Sequence, residues 1–153
     1  MSSVQKQRGT AFETRVCRYL RHRSGDDRIE RRALHGTKDM GDLFGLRAHG
    51  LEGIVECKSY NVYPTQQKML ANFKRQTEDE RCNADADFAL LVVRVPQRSV
   101  GDADCYVSYR TLDLMLGTFD ESIDYESFED PWMRVCLWQM CELMWGGVAD
   151  GLQ

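Results

Sequence analysis

Residues 53–61 read GIVECKSYN, and how this stretch is read decides the rest of the chain. Gly53, Ile54 and Val55 give a β-prone, apolar start, yet Glu56 and Lys58 follow two positions apart. Side chains alternate across a strand, so Glu56 and Lys58 share one face while Val55 and Cys57 share the other. An acid and a base on one strand face are either a solvent-exposed ion pair or part of a site. What surrounds them in sequence separates the two.

Upstream, two further β candidates cover 28–34 and 42–48, divided from each other and from 53–60 by the Gly-containing turns HGTKDMG and HGLEG. Three strands this close should form a meander. Asp42 opens the second of them, and an antiparallel pairing through a short turn of about five residues brings it beside Glu56. Two adjacent carboxylates repel and raise each other's pKa unless a positive charge lies between them. Mg²⁺ would serve, since it takes one or two protein carboxylates and fills its remaining positions with water and phosphate oxygens. Lys58 would then orient a water or stabilise charge building on phosphorus. Asp39, in KDMGDL, is the rival ligand; Asp42 is preferred because it leads directly into Leu43 and Phe44, and a strand fixes a ligand better than a turn does.

Downstream, Thr65 to Arg81 reads as a half-exposed helix with Met69, Leu70 and Phe73 on its apolar side and Pro64 at its first position. FALLVVRV at 88–95, stopped by Pro96, suits a strand buried on both faces. DCYVSYR at 104–110 reads as its neighbour. A short helix near Thr111–Leu116, an acidic loop from Asp120 to Asp130 and a last helix near Trp132–Trp145 complete the chain. At the other end, Thr10 to His22 carries Phe12, Val16, Cys17 and Leu20 at helical spacing, with Thr10 and Glu13 as a T-x-x-E capping box. The order α, β, β, β, α, β, β, α, α implies one α/β domain, 1–153, around a mixed sheet.

Composition narrows the function classes. The 153 residues are 42% hydrophobic and 29% charged, which is ordinary globular usage. No apolar run is long enough for a membrane span and the polar, basic N-terminus has no signal-like segment, so a soluble protein that stays in the cell is expected. Six scattered cysteines without a CxxC pair read as free thiols, and three histidines without ligand spacing argue against zinc. The net charge of −4 conceals a polarity: residues 1–75 hold 15 Lys+Arg against 8 Asp+Glu, and 76–153 hold 5 against 16. A basic half suits a polyanion-binding face.

Asp42 followed by Glu56-Cys57-Lys58 resembles the D-x(n)-E-x-K signature of the PD-(D/E)XK nuclease superfamily. More narrowly, GTAFE (9–13), ERRALHGTKDMGDLFGL (30–46) and VECKSYN (55–61) resemble small Holliday junction resolvase-like proteins of phages and actinobacteria. The resemblance covers about the first 110 residues, and Gly41 stands where the superfamily's name has proline. It implies a restriction-endonuclease-like three-layer fold, a central mixed sheet flanked by helices with an αβββαβ core. It also implies a Mg²⁺-dependent endodeoxyribonuclease, with Mn²⁺ substituting, in the cytoplasm of a bacterial or phage-infected bacterial cell. Asp42, Glu56 and the main-chain carbonyl of Cys57 would hold the metal, Lys58 would assist the attacking water, and Glu13 would complete the catalytic set. DNA, a four-way junction above all, would lie along Lys6, Arg8, Arg31, Arg32, Lys38, Ser59, Gln67, Lys68 and Lys74. A homodimer built on the apolar final helix would suit two symmetric cuts, with core packing of that helix as the other reading. A restriction-like or repair nuclease on duplex, flap or single-stranded DNA, and a catalytically silent DNA-binding module, are the alternatives.

Overall fold

The computed structural model describes residues 3–33 and 38–150, the side chains at 147–150 apart. Its α/β architecture is a six-stranded mixed sheet in the order β1-β2-β3-β4-β5-β6, with four helices. The elements run α1 (Ser3–Ser24), β1 (Glu30–Arg31), β2 (Leu43–Ala48), β3 (Leu51–Lys58), α2 (Gln67–Asn83), β4 (Phe88–Val93), β5 (Asp104–Ser108), α3 (Tyr109–Leu116), β6 (Trp132–Cys136) and α4 (Leu137–Asp150). The first three strands form the expected antiparallel meander. β3 and β4 are parallel and joined by α2, because a parallel neighbour needs a crossover connection. β5 and β6 return antiparallel.

Alternation along the strands sorts the core into two layers. Val55, Phe88, Leu90, Val92, Cys105 and Val107 pack with Phe12, Val16 and Leu20 of α1 and Leu137, Met140 and Met144 of α4. On the other face Leu91, Val93 and Tyr106 meet Leu70 and Phe73 of α2. All six residues of β4 are buried, which is why its sequence is continuously apolar rather than alternating. The sheet is therefore covered by α1, α3 and α4 on one side and α2 on the other.

Several elements differ from the expectations. β1 shrinks to two residues, and the Leu34 end of that expected strand lies outside the described residues. The β2–β3 connection is a two-residue turn, His49-Gly50, with both residues at positive φ, the sign pattern of a I′ hairpin. α2 begins at Gln67, three residues beyond Pro64. α1 starts at Ser3, so Thr10 lies inside the helix and its carbonyl accepts from the Thr14 hydroxyl. The capping box thus does not exist, and Glu13 is not explained by one. The expected helix over 132–145 is divided: 132–136 forms β6 along β5, and only from Leu137 does α4 begin. α4 spends Leu137, Met140, Cys141 and Met144 on the core of its own chain. All six cysteines are free; Cys17, Cys105 and Cys141 are buried, Cys57 and Cys136 half-buried, and Cys82 exposed. Among the described residues no helix is long and apolar enough to cross a membrane.

Candidate metal centre

Backbone pairing places Asp42. Its amide donates to the Val55 carbonyl (2.9 Å) and its carbonyl accepts from the Arg32 amide (2.7 Å). Its Oδ2 then accepts the Cys57 amide at 2.8 Å. Gly41, just before it, sits at φ +90°, where proline, fixed near −65°, does not fit. The Gly41 amide also donates to Asp39 Oδ1 at 3.0 Å, a bond that proline lacks. Glycine rather than proline is thus the residue that fits this backbone at position 41.

Glu56 projects from β3 into the space under α2 and is 3% exposed. The Asp42 and Glu56 carboxyls lie within hydrogen-bonding reach of each other, and burial is the first cause that lifts both to about 8. A third acid comes from α2: Glu80, 1% exposed, is lifted by burial to about 7. One carboxylate oxygen each from Asp39, Glu56 and Glu80 lie within 4.8 Å of one another. Asp39 and Asp42, rivals in sequence, therefore both converge on Glu56.

Gln76 of α2 organises the group. Its Nε2 donates to Glu56 Oε2 (3.2 Å) and Glu80 Oε1 (2.9 Å), while its Oε1 accepts from Lys58 Nζ at 3.1 Å. The Lys58 ammonium also sits 4.7 Å from the centroid of the Phe73 ring. It is thus held beside Glu56 by one amide and one aromatic face. Among the described residues no donor reaches the buried Glu80 Oε2, whose neighbours are the Glu56 and Asp39 carboxyls. A buried carboxylate oxygen with no donor is costly, and an oxygen-liking divalent cation is the kind of group that would satisfy it. The donor set, carboxylates without histidine or thiolate, fits Mg²⁺ or Mn²⁺ rather than zinc.

Glu13 approaches from α1. Burial raises its pKa, the Asp42 charge adds to that, and Arg31 opposes both. Arg31 Nη2 bonds Glu13 Oε2 at 3.0 Å, so this expected DNA contact is engaged by a site carboxylate. Arg32 stacks on Phe44, 4.8 Å from the ring centroid, and with Lys38, Asp39 and Asp42 lines a small cleft at the acid cluster. Lys6 is exposed on α1, and Gln67 and Lys68 are exposed in the first turn of α2. Lys74 is bound to Asp130 at 3.0 Å and faces Tyr106. Arg8 and Ser59 line a separate groove beside the end of β3.

The sequence reading missed Gln76 and Glu80, treating them as part of the polar side of α2. A signal was present. The helical stripe through Leu70, Phe73 and Thr77 continues to Glu80, so an acid occupies a position whose period assigns it to the interior. Comparison with known proteins adds no assignment: no family model, no curated protein and no solved structure matches the chain.

Proposed function

We propose that the chain is a metal-dependent endodeoxyribonuclease of the restriction-endonuclease-like fold, and specifically a Holliday junction resolvase that hydrolyses phosphodiester bonds in four-way DNA junctions. The observation that carries the reading is the meeting of half-buried Asp42 with buried Glu56, with Lys58 held alongside. The order α1-β1-β2-β3-α2-β4 supports the αβββαβ core that the motif resemblance implies. Four-way junctions as the substrate rest on that resemblance.

In this reading Asp42, Glu56 and the Cys57 carbonyl would hold Mg²⁺, with Asp39 and Glu80 as the neighbouring carboxylates of Glu56. The ion would supply Lewis acidity and a water of lowered pKa. Asp42 stands in a bend one residue before β2 and is fixed by the Cys57 amide and by its main-chain bonds to Val55 and Arg32. Lys58 is positioned by Gln76 and Phe73 to donate toward the attacking water or the phosphoryl oxygens. Glu13 would complete the catalytic set from α1, held in place by Arg31.

The test is a gel assay of the purified chain on a synthetic four-way junction and on linear duplex, with and without Mg²⁺ or Mn²⁺. Paired cuts in the junction that require metal are the expected result. Cleavage confined to duplex, flap or single-stranded DNA would remove the resolvase reading and leave a nuclease. Binding with no cleavage of any substrate would identify a silent DNA-binding module. Glu56→Gln and Lys58→Ala should each abolish cutting with an unchanged circular-dichroism spectrum.

A further inference from the structure

Beside the end of β3, on the α1 side, runs a groove lined by Arg8, Ala11, Phe12, Arg15, Ser59, Asn61 and Arg94. Arg8 and Arg15 are seven residues apart on α1, which places them on one side of the helix about 10 Å apart. Ala11 stands between them, so a small side chain leaves the floor open. Arg94 enters from the chain after β4, where its amide donates to the Lys58 carbonyl at 2.9 Å. The groove therefore begins where the strand carrying Glu56 and Lys58 ends.

No Asp or Glu lines it. Among the described residues none of the three guanidiniums is ion-paired, and Arg8 makes only a neutral bond, to Asn61 Oδ1 at 2.7 Å. Three converging cations without a counter-charge, in a protein of net charge −4, form an anion site. Guanidinium matches phosphate in bidentate geometry, and Ser59 and Asn61 add neutral donors. Phe12, the one aromatic in the lining, is only 3% exposed, so the groove offers no ring on which a base could stack.

We infer that this groove grips the phosphodiester backbone of the DNA strand leading away from the acid cluster, reading charge and not sequence. The inference rests on the nucleic-acid part of the proposed function and adds Arg15 and Arg94, which the sequence reading left out. Backbone gripping of this kind orients the strand and makes affinity depend on salt without dependence on bases.

The experiment is fluorescence anisotropy of the full chain with labelled duplexes of differing base composition and a labelled four-way junction, in EDTA, over a salt series. Arg15→Gln and Arg94→Gln should each lower the slope of log K against log salt by about 1, and with Arg8→Gln by about 3 together. The loss should be equal for AT-rich and GC-rich duplexes. Melting temperatures identify folded variants; an unchanged slope in these would overturn the inference, as would a loss confined to one base composition. A protein that binds through the groove but cuts nothing with Mg²⁺ would sink the nuclease reading alone. One that cuts while its slope ignores all three substitutions would sink the groove alone.

Discussion

Asp42, Glu56 and Glu80 retain protons near neutrality because burial penalises their charged forms. In the unfolded chain the same groups titrate near 4, so the native state binds more protons between about pH 4 and 8. Stability carried by these groups is complete below pH 4 and is lost as pH rises through their folded values. The metal-free protein should thus melt at progressively lower temperature from pH 5 to pH 8, and Glu80→Gln should flatten that fall. On the proposed function, Mg²⁺ should raise the melting temperature more at pH 8 than at pH 5, since it would compete with those protons; at a hundredfold excess over its dissociation constant the gain is about 2.7 kcal/mol. A Mg²⁺ effect independent of pH would place the ion elsewhere. Gly41 gives a second prediction at this scale. An added Cβ would lie 2.9 Å from Ile54 Cδ1 at φ +90°, so Gly41→Ala should lower stability by about 1–2 kcal/mol, measured by urea unfolding. Glu56 and Lys58 were legible in the sequence because strand alternation assigns their face without any tertiary knowledge. Glu80 was legible only through the period of α2, which carries the stripe of Leu70, Phe73 and Thr77 on to it, because an acid on a helix otherwise reads as solvent-facing.

The elements divide in the same way. β4 was readable because six consecutive apolar residues have few alternatives to a strand covered on both faces. Truncating its centre, Leu90→Ala, should cost about 2–5 kcal/mol by the cavity it leaves, seen as a lower urea midpoint. β6 was not readable. WMRVCLWQMC is apolar without a clear period, and its first five residues are fixed as a strand by the β5 ladder, from Asp104↔Cys136 to Ser108↔Trp132. A local clue to the break was available: the Cys136 amide donates to Gln139 Oε1 at 2.8 Å, the reciprocal half of a capping box at the start of α4. Among the helices α2 organises the acid cluster, because Gln76 joins Lys58 to Glu56 and Glu80. On the proposed function, Gln76→Ala should lower kcat on a four-way junction by up to about 100-fold with little change in KM, since a small misplacement of a reacting group is enough for that loss. A rise in KM alone would mean that Gln76 serves binding instead.

Across the whole molecule, the basic and acidic halves of the sequence are not segregated into separate bodies. α2, from the middle of the chain, is tied to the acidic 120–130 segment through Lys74 and Asp130. Lys74 retains 14% side-chain exposure, so the pair holds a cation of the α2 side under a carboxylate. Asp130→Asn should change stability by less than about 1 kcal/mol, and on the proposed DNA-binding function should raise DNA affinity severalfold at low salt, an advantage that fades as salt screens it. An affinity gain that persists at high salt would point to rearrangement rather than to charge.

The distribution of the thiols has a practical corollary. Cys82, exposed near the end of α2, adjoins Asn83, whose side-chain amide donates to the Asp39 carbonyl at 2.9 Å. A maleimide dye should react there ahead of the other five sulfurs, giving a fluorescent reporter one residue from a direct link to the acid cluster, and on the proposed function its emission should change when Mg²⁺ is added.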